Sequence, residues 1–119
     1  SGMGYKTAFQ SVYTVLNSNA ALTAKAKVYD FVPEDVASPY IQIQFSQALR
    51  GRILNESERE MYFDLHIWSQ YLGSKEVLEI IDLIAAAVPS EWFEEDAQTI
   101  FRDESGWYHG ILTLKMYDR

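Results

Sequence analysis

The chain is expected to fold as an α+β domain, a mostly antiparallel sheet with two main helices packed on one face. Three observations point there. Tyr5–Leu16 and Val77–Val88 space their apolar residues three and four apart, the repeat of one helical face. Tyr40–Ser46 and Met61–Ser69 alternate apolar with polar or aromatic residues, the repeat of a strand. The order helix, strands, helix, strands places the helices on one side of the sheet. At 119 residues, 48% hydrophobic and 23% charged, the composition suits a single domain spanning residues 1–119. Ser1-Gly2 before Met3 reads as the remnant of a removed tag.

In the first helix Tyr5, Ala8, Phe9, Val12 and Leu16 form the stripe, with Thr7, Gln10, Ser11 and Thr14 opposite. Asn17-Ser18-Asn19 supplies stop and restart signals, because Asn tolerates left-handed φ and caps well. A short helical turn over Ala20–Ala26 follows. Val28–Val32 is an apolar run ended by Pro33, a brief strand. Glu34–Pro39 is a loop, and Pro39 biases Ser38 toward the extended backbone that starts the next strand. There Ile41, Ile43 and Phe45 alternate with Gln42 and Gln44.

Gln47–Glu60 reads as a long charged loop, since it holds Arg50, Arg52, Glu56, Glu58, Arg59 and Glu60 around Gly51 and Asn55. Such length between strands usually marks function or mobility. Met61, Phe63, Leu65 and Ile67 then face one way and Tyr62, Asp64, His66 and Trp68 the other. Both faces carry large side chains, so the second is expected to meet another surface in part. Gly73-Ser74 opens the strongest helix, with Ser74 as its cap, Val77, Ile80, Ile81, Ile84 and Val88 as its buried stripe, and Pro89 as its stop. Ser90–Asp96 is acidic but contains Trp92 and Phe93. Two strands close the chain, Ala97–Arg102 and Tyr108–Tyr117, joined through Asp103-Glu104-Ser105-Gly106. Leu112, Leu114 and Met116 face the core in the last strand, while Ile111, Thr113, Lys115 and Tyr117 face outward.

Charge and composition exclude several function classes. Seventeen acidic against ten basic residues give a formal net charge of −7. Binding to duplex DNA draws on basic surplus, so this balance argues against a DNA reader. With no cysteine there is no disulfide framework, thiolate zinc site or cysteine nucleophile. No stretch approaches the roughly 20 apolar residues of a spanning helix, and no secretory signal is visible; folding in a cytoplasm is expected.

Chemistry is sparse. The histidines are His66 and His109, each on an expected strand. Asp64, His66 and His109 would make a small metal site only if their strands are neighbours facing the same way. Asp103 and Glu104 are adjacent and read as turn residues. Glu91, Glu94, Glu95 and Asp96 lack the ordered spacing of a calcium loop. The glycines form no phosphate-binding run. The expectation is therefore no catalytic, cofactor-binding or metal-ligating set, and no enzyme. An interaction surface fares better, because Tyr, Trp and Arg are enriched at interface centres.

Three stretches occur in a characteristic order: KVYDFVPEDVASPYIQI (Lys27–Ile43), DLHIWSQYLGSKEVLEIIDLI (Asp64–Ile84) and RDESGWYHGILTLKMYDR (Arg102–Arg119). With the first helix and Ala20-Ala21-Leu22, they resemble the tail-completion, head–tail joining or tail-terminator-like proteins of long-tailed bacteriophages and prophages. The resemblance covers nearly the whole chain after Met3. Gln70 stands where a basic residue is usual, and Ser105-Gly106 where Asp-Gly is commoner, departures that touch turn chemistry and surface charge.

The resemblance implies a structural virion protein, one subunit of a ring, expected to be a hexamer, at the head-proximal end of the tail. Its implied partners are further copies of itself, the tail-tube protein and the head connector protein. DNA is implied only as passing cargo, and no membrane is involved. Residues expected at the interfaces are Arg50, Arg52, Glu56, Glu58, Arg59, Tyr62, Trp68 and Tyr117. Two alternatives stand beside this reading: a small acidic protein-binding module of regulatory or immunity type, and an enzyme using Asp64 and His66.

Overall fold

The computed structural model describes residues 4–50, 59–93 and 99–118. Among these the order is α1 (Tyr5–Asn17), α2 (Ala20–Lys25), β1 (Lys27–Tyr29), β2 (Tyr40–Arg50), β3 (Arg59–Ser69), α3 (Lys75–Ala87), a 3-10 turn (Ser90–Trp92), β4 (Thr99–Arg102) and β5 (Tyr108–Asp118). The strands form one five-stranded sheet in the order β1-β2-β3-β5-β4. All pairs are antiparallel except β1 with β2. This is the α+β architecture expected.

The core lies between the sheet and the helices. Ile41, Ile43, Met61, Phe63, Leu65, Ile67, Leu112, Leu114 and Met116 are buried, against Ala8, Val12 and Leu16 of α1 and Val77, Ile80, Ile81 and Ile84 of α3. These strand positions are the apolar half of the period-two pattern, so a single parity choice along each strand decides which face the helices cover. Gly110, on β5, sits where α3 comes closest. A Cβ added there would lie 2.4 Å from Val77 Cγ1, so this approach of helix to sheet requires the missing side chain. Tyr5, expected in the buried stripe, stays 53% exposed at the end of α1, with its ring edge-on to Phe45 and the Arg59 guanidinium 4.8 Å above it.

Local signals explain most boundaries. Asn19 caps α2, its side-chain oxygen accepting from Leu22 N at 2.9 Å. Gly106 takes a φ of 93°, which closes the β4–β5 turn. Ser74 differs from expectation: it precedes α3 without a side-chain cap bond, and only its carbonyl takes part, accepting from Leu78 N. Glu76 instead binds outward from the first turn of α3. It accepts from the buried Ser69 hydroxyl at 2.6 Å and pairs with Lys25 at 3.2 Å, tying β3, α2 and α3 together.

The largest correction concerns Gln47–Glu60. It is not a loop throughout, because β2 runs on to Arg50 and β3 begins at Arg59, with Gln47, Ala48, Leu49 and Arg50 opposite Tyr62, Met61, Glu60 and Arg59. A bulge explains the misreading. The register shifts between Phe45 and Gln47, leaving Ser46 as an extra residue. Past it the inward parity moves from odd to even positions, and Ala48, opposite Met61, packs against the core. An alternation read straight through that point breaks, which is also the pattern of a strand's end. Val28–Val32 is likewise shorter, since β1 stops at Tyr29 and Phe31 is 86% exposed. β4 is described from Thr99, and residues 97–98 lie outside the described set.

Candidate functional site

Helices cover one face of the sheet, and the opposite face is the candidate site. Register arranges it in cross-strand rows. The first row is Tyr40, Trp68, His109 and Phe101, one residue from each of β2, β3, β5 and β4. Trp68 stacks on His109 with ring centroids 3.8 Å apart and planes 14° from parallel. Phe101 tilts against the other side of that imidazole at 4.9 Å. Trp107, from the β4–β5 turn, meets Tyr40 and Trp68 edge-on at 5.7 and 6.4 Å, and Tyr29 meets Tyr40 at 6.2 Å. Such offset and edge-on pairs gain beyond the area they bury.

The next rows are polar. His66 lies beside Gln42 and Ile111, and Asp64 lies between Gln44 and Thr113. His66 Nε2 is 2.6 Å from Gln44 Oε1, and His66 Nδ1 is 2.9 Å from His109 Nε2. The partners set the tautomers. Gln44 Oε1 can only accept, so His66 donates from Nε2, and its bare Nδ1 accepts from His109 Nε2–H. With neutral rings this tautomer pair satisfies both contacts, in keeping with the lowered pKa of each. Burial pushes the His66 pKa down, against the opposing pull of Asp64. Burial first, and the neighbouring His66 second, push His109 down to about 4, against Asp103. Thr113 donates to Asp64 Oδ1 at 2.8 Å. Asp103 is held low in pKa by the hydroxyl and backbone N–H of Ser105.

At the far end of this face Tyr62 donates to Glu60 Oε2 at 2.7 Å, and Lys115 Nζ lies 5.3 Å from the centre of the Tyr117 ring. Of the expected interface residues, Tyr62, Trp68 and Tyr117 share this face, but not one patch. Trp68 stands six positions along β3 from Tyr62, about 20 Å at strand spacing. Arg59 turns to the helix side, over Tyr5. Arg50 lies on β2 opposite Arg59. Arg52, Glu56 and Glu58 lie outside the described residues, as do Glu94, Glu95 and Asp96.

The sequence reading did not single out Tyr40, Phe101, Trp107 and His109 as partners of Trp68. Parity alone places Tyr40 on the Gln42 side. Joining it to Trp68 and His109 requires the register of three strands. Asp64, His66 and His109 do share a face, yet each is engaged elsewhere: the imidazoles with one another and Asp64 with Thr113. Among the described residues no group of three or more His, Cys, Asp or Glu side chains is placed to hold a metal ion. What this face presents is area: an aromatic end, a polar hydrogen-bonded middle and a tyrosine end.

The fold has a counterpart among solved structures. A chain from the virion of a native gene transfer agent particle is similar with a TM-score of 0.68 at 16% sequence identity, over 94% of this chain and 96% of that one. No curated protein matches. The model of the family described as tail completion protein gp17 matches residues 10–117, and the chain belongs to that family.

Proposed function

We infer that the protein is a structural subunit of a phage-type tail that closes the tail at its head-proximal end and joins it to the head connector. Membership in the tail completion family supports the coarse role. The observation that carries the finer reading is the sheet face that, among the described residues, has no helix layer, with the Tyr40–Trp68–His109–Phe101 row at one end. Side chains of this size on an uncovered sheet face are what a subunit contact buries.

In this reading the copies form a ring, a hexamer, through heterologous contacts that join two different surfaces. The aromatic row lies at the centre of such a contact, and the segment carrying Arg50, Arg52, Glu56, Glu58 and Arg59 reaches a neighbour or the tail tube. DNA passes through without being read. The net charge of −7 suits this role, since an acidic lumen repels the phosphate backbone and lets it slide. The protein acts as a virion component made in the bacterial host, and its role is assembly rather than catalysis.

The test is assembly of particles carrying Trp68→Glu, counted by electron microscopy, with circular dichroism of the purified variant as the folding control. The expected result is a folded protein and tails that fail to join heads. Normal joining by a folded Trp68→Glu protein rules out the aromatic row as a contact. Removing residues 51–57 should likewise abolish joining while the sheet survives.

A further inference from the structure

Past its first three residues, β2 is an edge strand. β1 pairs with Tyr40, Ile41 and Gln42, and among the described residues nothing pairs with Ile43–Arg50 on the flank away from β3. Strand edges recruit other strands unless they are short, charged, interrupted by proline, twisted away by a bulge or covered. The Ser46 bulge of β2 changes the parity but leaves backbone groups of Ile43–Arg50 on this flank without a strand partner among the described residues. β1 and β4 are short, three and four residues. The open part of β2 is longer, and its stretch Ile43-Gln44-Phe45-Ser46-Gln47-Ala48-Leu49 contains neither a charge nor a proline.

The stretch is also complementary to itself. The bulge at Ser46 reverses the parity, so Ile43, Phe45 and Ala48 lie on the helix side while Gln44 and Gln47 lie on the other. Placed antiparallel to a second copy, with Ser46 opposite Gln47, every helix-side position meets a helix-side position. Gln44 then meets Leu49, Phe45 meets Ala48, and Ile43 meets Arg50. This register uses the whole open stretch and stops where β1 begins. A lateral shift in one direction would run the second strand into β1, and in the other would leave part of the edge bare.

Shape points the same way. Phe45 is 40% exposed, and a hollow bounded by Tyr5, Lys6, Phe45 and Ala48 lies beside it. In this register the Phe45 ring of each copy lies over the small Ala48 of the other, at that hollow. The absence of charge at Ser46 and Gln47 matters too, because the two-fold axis brings each of these near its own copy and like charges close to one another destabilise a ladder.

We propose that two copies of this chain pair through the β2 edge, about a two-fold axis between Ser46 and Gln47, with Phe45 of each seated at Ala48 of its partner. The contact is isologous and stands independently of the ring, whose contacts are heterologous.

Sedimentation equilibrium of the purified protein tests this, together with single-cysteine variants, for which the chain has no competing thiol. The expected result is a reversible dimer. Ser46→Lys combined with Gln47→Lys should weaken it about tenfold or more, since four like charges crowd the axis, while the thermal midpoint of the monomer stays unchanged. Under mild oxidation Ser46→Cys should form a disulfide-linked dimer, and Thr7→Cys, on an exposed position of α1, should not. A protein that stays monomeric at about 100 μM overturns the proposal. So does a dimer that the lysine pair leaves unchanged, or one in which Ser46→Cys and Thr7→Cys cross-link equally. A dimer of the last kind uses another surface or a different strand. Because ring formation is read separately in particles, neither outcome depends on the other.

Discussion

The two faces of the sheet are made from the same strands and obey the same alternation, yet they carry different properties. On the helix side the central positions are almost all aliphatic, Met or Phe, with Gly110 under α3, and most are fully or nearly dry, Phe45 at the margin excepted. On the open side Trp, Tyr, His, Gln, Asp and Thr range from buried His109 to exposed Gln44 and Tyr117, and are held by ring contacts and side-chain hydrogen bonds. The first face gains its free energy from removing apolar area and tolerates little change of volume. The second gains less from folding and keeps groups that still have area to bury when another surface arrives. If the open face is the subunit contact proposed above, stability and assembly are separable, one to each side of a single sheet.

Substitutions can test that separation. Phe63→Ala, in the centre of the helix side and fully buried, should cost about 3–5 kcal/mol, read from chemical denaturation. Gly110→Ala should cost about 1–3 kcal/mol through its clash with Val77. Combining it with Val77→Ala should recover part of that loss, so a strictly additive double variant would show that the close approach is not the cause.

Glu76→Ala removes the partner of buried Ser69 and of Lys25, and should cost about 1–2 kcal/mol in the same assay. Trp68→Ala, on the open side, should cost only about 1 kcal/mol for the lost stacking on His109, while its effect on head–tail joining is the larger one. If Trp68→Ala destabilised the monomer as much as Phe63→Ala, the two faces would not differ in the way described.

Acid gives the smallest and most selective effect. His66 and His109 are both pushed below their usual value of 6.5, His109 to about 4. The unfolded chain therefore binds protons at pH values where the folded one does not. Their contribution to stability is complete above about pH 6.5 and is lost as pH falls toward about 4. Thermal midpoints measured across that window should decline in the native protein and flatten in His66→Gln and His109→Gln. An unchanged slope in both variants would place the titration elsewhere.

Much of this was legible in the sequence because it is local. Period-two runs in Ile41–Phe45, Met61–Ser69 and Leu112–Met116 assign each side chain to a face, and the stripe Val77–Ile84 identifies α3. Even the surplus of aromatics on the second face of β3 was visible, as were the resemblance and the family. The Ser46 bulge was not legible. One extra residue breaks the alternation from within the strand, and nothing nearby in sequence distinguishes it from a strand's end. Register also decides where Arg59 goes: it belongs to a strand, and strand parity turns it toward α1.

By itself the sequence determined the element types, their faces, the absence of thiol chemistry and the acidic balance, because each depends on neighbours a few residues away. Only the tertiary structure decided which residues meet: Tyr40 with Trp68 and His109, His66 with His109, Glu76 with Ser69. It also decided that β1 covers just three residues of β2 and that, among the described residues, no strand pairs with the remainder of that edge. Register across strands and the approach of helix to sheet couple residues tens of positions apart, and parity cannot specify such couplings.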